Sequence, residues 1–350
     1  MTFPPEKAAS AAERMAALPA CPGPDGNAAA LHLQIQRETR MSALPRILCL
    51  AGPTGSGKTA AALHLARALE KKGRRACVIN ADSRQAYRDF PIITAQPSEE
   101  ERSVCPHLLY GWLETSRKIS AGQWADMALA ALKQCLADDC VPMLVGGTGF
   151  YLRALLDGIA AIPAVDPAIT RRLTEECRAR GAAFLHERLR AVDPEYAAKI
   201  HPNDSQRNVR ALEVWEGTGR TFTWWHRHAS APAPFEVLRL GVGLPLTELE
   251  PFLVRRIHLM LEAGAMEEAR RALALCPDTQ APGWTGIGCA EAAAHLAGSL
   301  NLDACIALWA RNTRAYAKRQ WTWFRADKRM LWFRPGEHAP LEKAALDFLF

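Results

Sequence analysis

The stretch Gly52-Pro53-Thr54-Gly55-Ser56-Gly57-Lys58-Thr59 constrains the fold of this chain more than any other. It fills every fixed position of G-x-x-x-x-G-K-[ST]. An apolar run, Ile47 to Ala51, precedes it, and an alanine- and leucine-rich run, Ala60 to Leu69, follows. A strand, a glycine turn and a helix start leave backbone N–H groups pointing inward at the positive end of a helix dipole, which makes an anion site. In that geometry Lys58 reaches the outer phosphate and the Thr59 hydroxyl sits on Mg²⁺. With these flanks, a chance glycine turn is the weaker reading. The site holds a diphosphate or a triphosphate, and the motif leaves open which one and what attacks it.

A length of 350 residues suggests about two domains. Lysine and arginine exceed aspartate and glutamate by 43 − 37 = 6, which permits an acidic partner such as RNA without requiring one. No run of roughly 18 apolar residues is present, so no membrane span is expected. The 10 cysteines form no C-x-x-C pair, and several lie in apolar segments where a thiol is a small hydrophobe. The expectation is a reduced, cytoplasmic protein without zinc. Residues 1–42 are rich in alanine and proline and are read as a disordered extension; the other reading is that translation begins at Met41.

From Arg46 the chain alternates strand, loop, helix and strand, the signature of an α/β fold with a parallel sheet. A second strand, Ala76 to Asn80, delivers Asp82-Ser83-Arg84-Gln85 at its carboxyl end, where such sheets bind ligands. Asp82 then either faces the phosphate site or caps a turn, and the pattern weighs the two evenly. Ser120 with Gln123 reads as a capping box before a helix whose apolar face is Trp124, Met127, Ala128, Ala131 and Leu132. A third strand, Pro142 to Val145, ends in Gly146-Gly147-Thr148-Gly149, without the acidic residue that an ordinary P-loop ATPase places there. Such a turn lets backbone come close to a ligand.

A linker falls at 162–167, and 168–200 reads as helical. Asn203 or Asp204 then caps a helix to about Gly217, with Gln206 and Arg210 on one face. Glu236 to Val242 alternates like a strand, and helices fill most of 247–326. In the last of these, Arg311, Arg314, Lys318 and Arg325 form a basic stripe beside Tyr316, Gln320 and Trp323. That pattern fits phosphate contacts with base stacking, or a solvated face over a Trp-anchored core.

Taken in order, several pieces resemble the tRNA dimethylallyltransferases (tRNA isopentenyltransferases) over roughly residues 46–334. They are Gly52 to Thr59, Asp82-Ser83 with Gln85 and Tyr87, Pro106-His107, Gly146 to Gly149 with Tyr151, His201 to Asp204, Gln206-Arg207 with Arg210 to Val214, and Thr313-Arg314 with Tyr316 to Gln320 and Thr322-Trp323. The resemblance implies a P-loop NTPase-like α/β core, its parallel sheet flanked by helices, in segments 43–160 and 221–334. A helical insertion at 161–220 would clasp the anticodon arm, and 335–350 would be a tail. The reaction implied moves a dimethylallyl group from its diphosphate onto the exocyclic amine of the adenosine 3′ to the anticodon.

By the same resemblance Asp82 is the base and Thr54 contacts the reacting end. The loop Gly52 to Thr59 and Arg256 grip the diphosphate, with Mg²⁺ on Thr59. Asp82, Ser83, Arg84, Gln85, Thr148, Gln206, Arg207, Asn208, Val209 and Arg210 hold the RNA around the target base. Lys318, Arg319, Gln320 and Arg325 bind the anticodon arm. The sequence is silent on oligomeric state, and one monomer per tRNA is the default expectation. The chain departs from the family pattern at Gln96, where a lysine is usual, and at Phe252, where an arginine is usual, which leaves Arg255 and Arg256 as diphosphate candidates. It departs again at Cys289-Ala290, which replace an aromatic and a cation. Competing readings are a P-loop small-molecule kinase or ATPase, an isopentenyltransferase acting on free adenine nucleotides, and an RNA-binding module with a relic loop.

Overall fold

A computed structural model describes residues 44–229 and 232–350; the leading segment and Met41 lie outside the described residues. The strands are β1 (Arg46–Ala51), β2 (Arg75–Asn80), β3 (His107–Leu108), β4 (Cys140–Gly146), β5 (Glu236–Val242) and β6 (Met330–Phe333). They form one sheet in the order β3-β2-β4-β1-β5-β6, and every neighbouring pair is parallel. Strands covered on both faces read as continuous apolar runs, as β1, β2 and β4 do. Because all run the same way, the loops after β1, β2 and β4 open at one edge.

The first helices are α1 (Lys58–Lys71), α2 (Glu99–Val104), α3 (Ala121–Ala137) and α4 (Gly149–Leu156). Next come α5 (Pro167–Arg180), α6 (Ala182–Val192), α7 (Pro194–Ala197), α8 (Ser205–Thr218) and α9 (Phe222–Arg227). The last are α10 (Leu246–Glu262), α11 (Ala265–Leu275), α12 (Cys289–Leu296), α13 (Leu302–Arg325) and α14 (His338–Leu349). On one face of the sheet, Ile47, Ile79 and Leu144 pack with Trp124, Ala128 and Leu132 of α3 and Leu152 of α4. On the other, Leu48, Val78 and Met143 pack with Leu65 and Leu69 of α1 and Leu341 of α14. Segment 335–350 is therefore no tail: α14 closes a face of the core.

Local chemistry sets the helix ends. Ser120 and Gln123 form the reciprocal capping box of α3. Asp204 accepts the Arg207 amide at 3.0 Å and starts α8, which ends at left-handed Gly219. The stretch 168–200 breaks into α5, α6 and α7, because Gly181 (φ 86°) interrupts it and Asp193 caps the next start at Pro194. Leu173, Leu185, Leu189 and Leu212 give α5, α6 and α8 a core of their own. A further cluster joins Phe90, Ile257, Trp284 and Trp309, so α10 to α13 pack beside the loop that follows β2. Among the described residues no helix is long and apolar enough to cross a membrane.

Candidate active site

Three carboxyl-end loops and two helices build the site. The glycine loop runs from β1 to α1. At Gly55 (φ 76°) a Cβ would lie 2.5 Å from the Leu253 side chain of α10, so a side chain there would strain the backbone and displace Leu253. The Lys58 ammonium donates to the Pro53 carbonyl at 2.7 Å and curls back over the loop. Burial lowers its pKa to about 8; the Asp82 carboxylate opposes that shift and the Arg256 charge adds to it. Burial also lowers the Arg256 pKa, again against Asp82. Two cations, from α1 and α10, thus share one site with the carboxylate that follows β2.

Asp82 is fixed by its neighbours. Asn80, at the end of β2, accepts the Asp82 amide at 2.8 Å and donates to the Asp82 carbonyl at 2.9 Å. Asp82 Oδ1 accepts the Arg84 amide at 2.9 Å. Its Oδ2 has no hydrogen-bond partner among the described residues and stands beside Gly147, where a Cβ would come within 3.3 Å. The two readings of Asp82 are not exclusive, since one oxygen caps the turn and the other is left over. The charge is felt nearby: burial first and Asp82 next raise the Tyr316 phenol to about 12. Asn80 escaped the sequence reading, although an asparagine two residues before an aspartate at a strand end was the available signal.

The turn after β4 is tied to the Asp82 loop. Thr148 donates its amide to Ala81 at 3.1 Å, and its hydroxyl accepts the Ser83 amide at 3.0 Å. Helix α13 then lies across both loops. Gln320 accepts the Thr54 amide at 2.8 Å and donates to the Gly147 carbonyl at 2.8 Å. A Cβ on Gly147 would sit 2.3 Å from that donor, and one on Gly149 would sit 2.1 Å from the Trp323 indole nitrogen. The close approach these glycines permit is that of Gln320 and Trp323, where the sequence suggested a ligand.

The residues expected to bind RNA fall into two groups. Gln206, Arg207 and Arg210 on α8, and Lys318, Arg319 and Arg325 on α13, are exposed. Arg207 pairs with Asp204 at 3.5 Å and Arg210 with Glu213, while Arg314 pairs with Glu250 at 2.7 Å. The others are engaged within the protein. Asn208 is buried between His186 and the Pro202 carbonyl, and Val209 is half-buried against the α5–α8 core. Arg84 donates to the Pro282 carbonyl at 3.0 Å, and Gln85 to the Thr94 and Ala95 carbonyls. Gln320 is only 5% exposed, and both ends of its amide are bonded, so it supports the site from below. Helical phase carried that signal, because Gln320 shares a row with buried Ala317 and Phe324.

Of the departures, Gln96 donates to the Tyr87 carbonyl at 2.7 Å and ties down the loop after β2. Cys289 is buried in the Trp284 cluster, and Phe252 is exposed on α10, one turn before Arg256.

The IPP transferase family model matches residues 85–327. A tRNA dimethylallyltransferase of Nitratidesulfovibrio vulgaris (strain Miyazaki F) is 56% identical, over 89% of this chain and 96% of that one. One of Desulfovibrio desulfuricans is 57% identical, over 87% and 92%. Among solved structures, the tRNA isopentenylpyrophosphate transferase of Bacillus halodurans superposes with a TM-score of 0.63 at 29% identity, covering 87% of this chain and 96% of that one. A eukaryotic dimethylallyltransferase described as acting on tRNA gives 0.69 at 25% identity, covering 87% and 77%.

Proposed function

This chain belongs to the IPP transferase family, and on that premise we propose that it transfers a dimethylallyl group from dimethylallyl diphosphate to tRNA. The acceptor is the exocyclic amine of the adenosine 3′ to the anticodon, and diphosphate is released. The observation that carries this reading is one carboxylate opposed to one phosphate loop. Asp82 has an oxygen without a partner among the described residues and acts electrostatically on Lys58 and Arg256, while β4 ends at Gly146 and is followed by Gly147, with no carboxylate there. Phosphoryl transfer from ATP uses an acidic residue at that strand to hold its magnesium. Prenyl transfer needs a base on one side and a stabilised leaving group on the other.

The amine nitrogen attacks the allylic carbon, the bond from that carbon to the diphosphate oxygen breaks, and Asp82 Oδ2 takes the amine proton. Charge leaves with the diphosphate. The Lys58 and Thr59 amides, without a partner among the described residues in the first turn of α1, receive it together with the Lys58 and Arg256 side chains. The Thr54 amide is already bonded to Gln320.

The residues fit a Mg²⁺ that arrives with the diphosphate. The buried Ser56 hydroxyl lacks a partner among the described residues, and Thr59 stands in the first turn of α1. No group of three or more acidic, histidine or cysteine side chains among the described residues could hold a cation alone. Magnesium is commonly held by phosphate oxygens, water and one or two protein oxygens. When bound it neutralises charge on the leaving diphosphate.

Arg207, Arg210, Lys318, Arg319 and Arg325 meet the phosphates of the anticodon arm, and the target base leaves its stack at a cost of a few kcal/mol. One monomer takes one tRNA. The test combines purified protein, Mg²⁺, unmodified tRNA with adenosine 3′ to the anticodon, and labelled dimethylallyl diphosphate or labelled ATP. Label passing from the prenyl donor into tRNA without ATP use is expected. ATP consumption without prenyl transfer would replace this reading with that of a kinase or ATPase.

A further inference from the structure

Helix α13 presents two faces to two different tasks. Lys318, Arg319 and Arg325 are exposed, while Ala317, Gln320 and Phe324 are buried. Gln320 is the polar member of the buried row. Its Oε1 accepts the Thr54 N–H and its Nε2 donates to the Gly147 carbonyl, each at 2.8 Å. An N–H requires an acceptor and a carbonyl requires a donor, so the partners determine which end of the amide is which. Glutamate would keep the Thr54 bond and set a carboxylate oxygen against the Gly147 carbonyl. Methionine fills a similar volume and makes neither bond.

These two bonds join the two sides of the proposed reaction. Thr54 belongs to the loop that receives the leaving diphosphate. Gly147 belongs to the turn on which Asp82 rests, with its Cβ position 2.3 Å from Gln320 Nε2 and 3.3 Å from Asp82 Oδ2. The next residue, Thr148, is bonded to Ala81 and Ser83 on either side of Asp82.

We infer that Gln320 is a positioning residue that sets the separation between the Asp82 base and the diphosphate loop. The inference rests on the transferase reading above. In a displacement, nucleophile, carbon and leaving oxygen must align, and misplacing them by about 1 Å costs about a hundredfold in rate. Gln320 carries this out from the helix whose outer face bears Lys318 and Arg319, so an RNA docked on those cations lies over the same lock.

The full-length chain tests this with Gln320→Met, Gln320→Glu and a packing control, Phe324→Leu, which lies on the same buried row without a bond to either loop. Expected is a kcat lower by about a hundredfold in Q320M, with the KM for tRNA within about threefold of wild type. Q320E should fall between the two, since it keeps one bond. F324L should melt earlier while keeping kcat within about threefold. A near-wild-type kcat in Q320M overturns the inference. So does a loss confined to the tRNA KM, which would make Gln320 an RNA contact, or an equal kcat loss in F324L, which would make the effect general loosening.

Hydrogen exchange without substrate reads the lock separately from turnover. The Thr54 amide should exchange about tenfold or more faster in Q320M. Unchanged protection overturns the lock. Should wild type transfer no prenyl group, the functional reading falls, while the exchange result still decides the geometry.

Discussion

Burial lowers the Lys58 pKa to about 8, against the pull of the Asp82 carboxylate and with the help of the Arg256 charge. A lysine with a depressed folded value is charged well below pH 8 and loses its charge as pH rises through that point. Affinity for the prenyl donor should therefore weaken above about pH 8 in the free enzyme, and the bound anion should restore the proton. Calorimetry with dimethylallyl diphosphate, without RNA, in two buffers of different ionisation enthalpy measures that proton directly. Uptake is expected at about pH 8.5 and almost none at about pH 6.5, and Lys58→Arg should show no such difference. Equal uptake at both values would place Lys58 away from the donor. The Asp82 carboxyl offers a cleaner separation, because its cap and its free oxygen are different atoms. Asp82→Asn retains an oxygen for the Arg84 amide and removes the base. Turnover should fall by about 10²–10⁴ while the tRNA Kd holds. Wild-type turnover in that variant would remove Asp82 as the base.

Helix α13 divides its residues by phase, and that division predicts which cations matter. Arg319 is exposed, stacked over the Tyr316 ring at 5.5 Å, with no carboxylate partner among the described residues. Arg314, by contrast, is already paired with Glu250 at 2.7 Å. Arg319→Ala should weaken tRNA binding and reduce the slope of log affinity against log salt by about one. Arg314→Ala should change it less, since Glu250 already neutralises that guanidinium. Binding titrations across a salt series decide, and an unchanged slope in R319A would mean that this face meets only solvent. Much at this scale was legible. The Ser120–Gln123 box, the Asp204 cap, strand β5 and the glycine loop all declare themselves through short-range chemistry. What escaped depends on partners distant in sequence. Strands β3 and β6, at 2 and 4 residues, are too short to show a period. That Pro282 already holds Arg84 is invisible in the sequence, since the two lie 198 residues apart.

At the scale of the molecule, the parallel sheet was legible because strands, loops and helices alternate along the chain; the strand order was not, since order depends on crossovers. The final segment shows the same limit. The family resemblance stops near residue 334, so 335–350 reads as a tail, yet α14 buries Leu341 and Ala345 against Leu65, Leu69 and Leu48. Glu342 also meets His64 of α1 at 2.6 Å. Fully burying a leucine contributes about 1.5–3 kcal/mol, and removing the helix uncovers its partners as well. Against a typical stability of about 5–15 kcal/mol, the loss is a large share. Truncation after Gly336 should lower the melting temperature by about 10 °C or more. The loss should also reach the site. Helix α1 begins at the phosphate loop, and the α14 approach touches it where a Cβ on Gly57 would lie 3.7 Å from Pro335. Loosening the back of α1 should therefore weaken donor binding before it weakens tRNA binding, which the proposed function assigns to the exposed faces of α8 and α13. Thermal melts with and without dimethylallyl diphosphate, beside tRNA titrations, separate the two. An unshifted melt would make α14 dispensable to the core, and equal losses for donor and tRNA would mean that the whole sheet, rather than α1, depends on it.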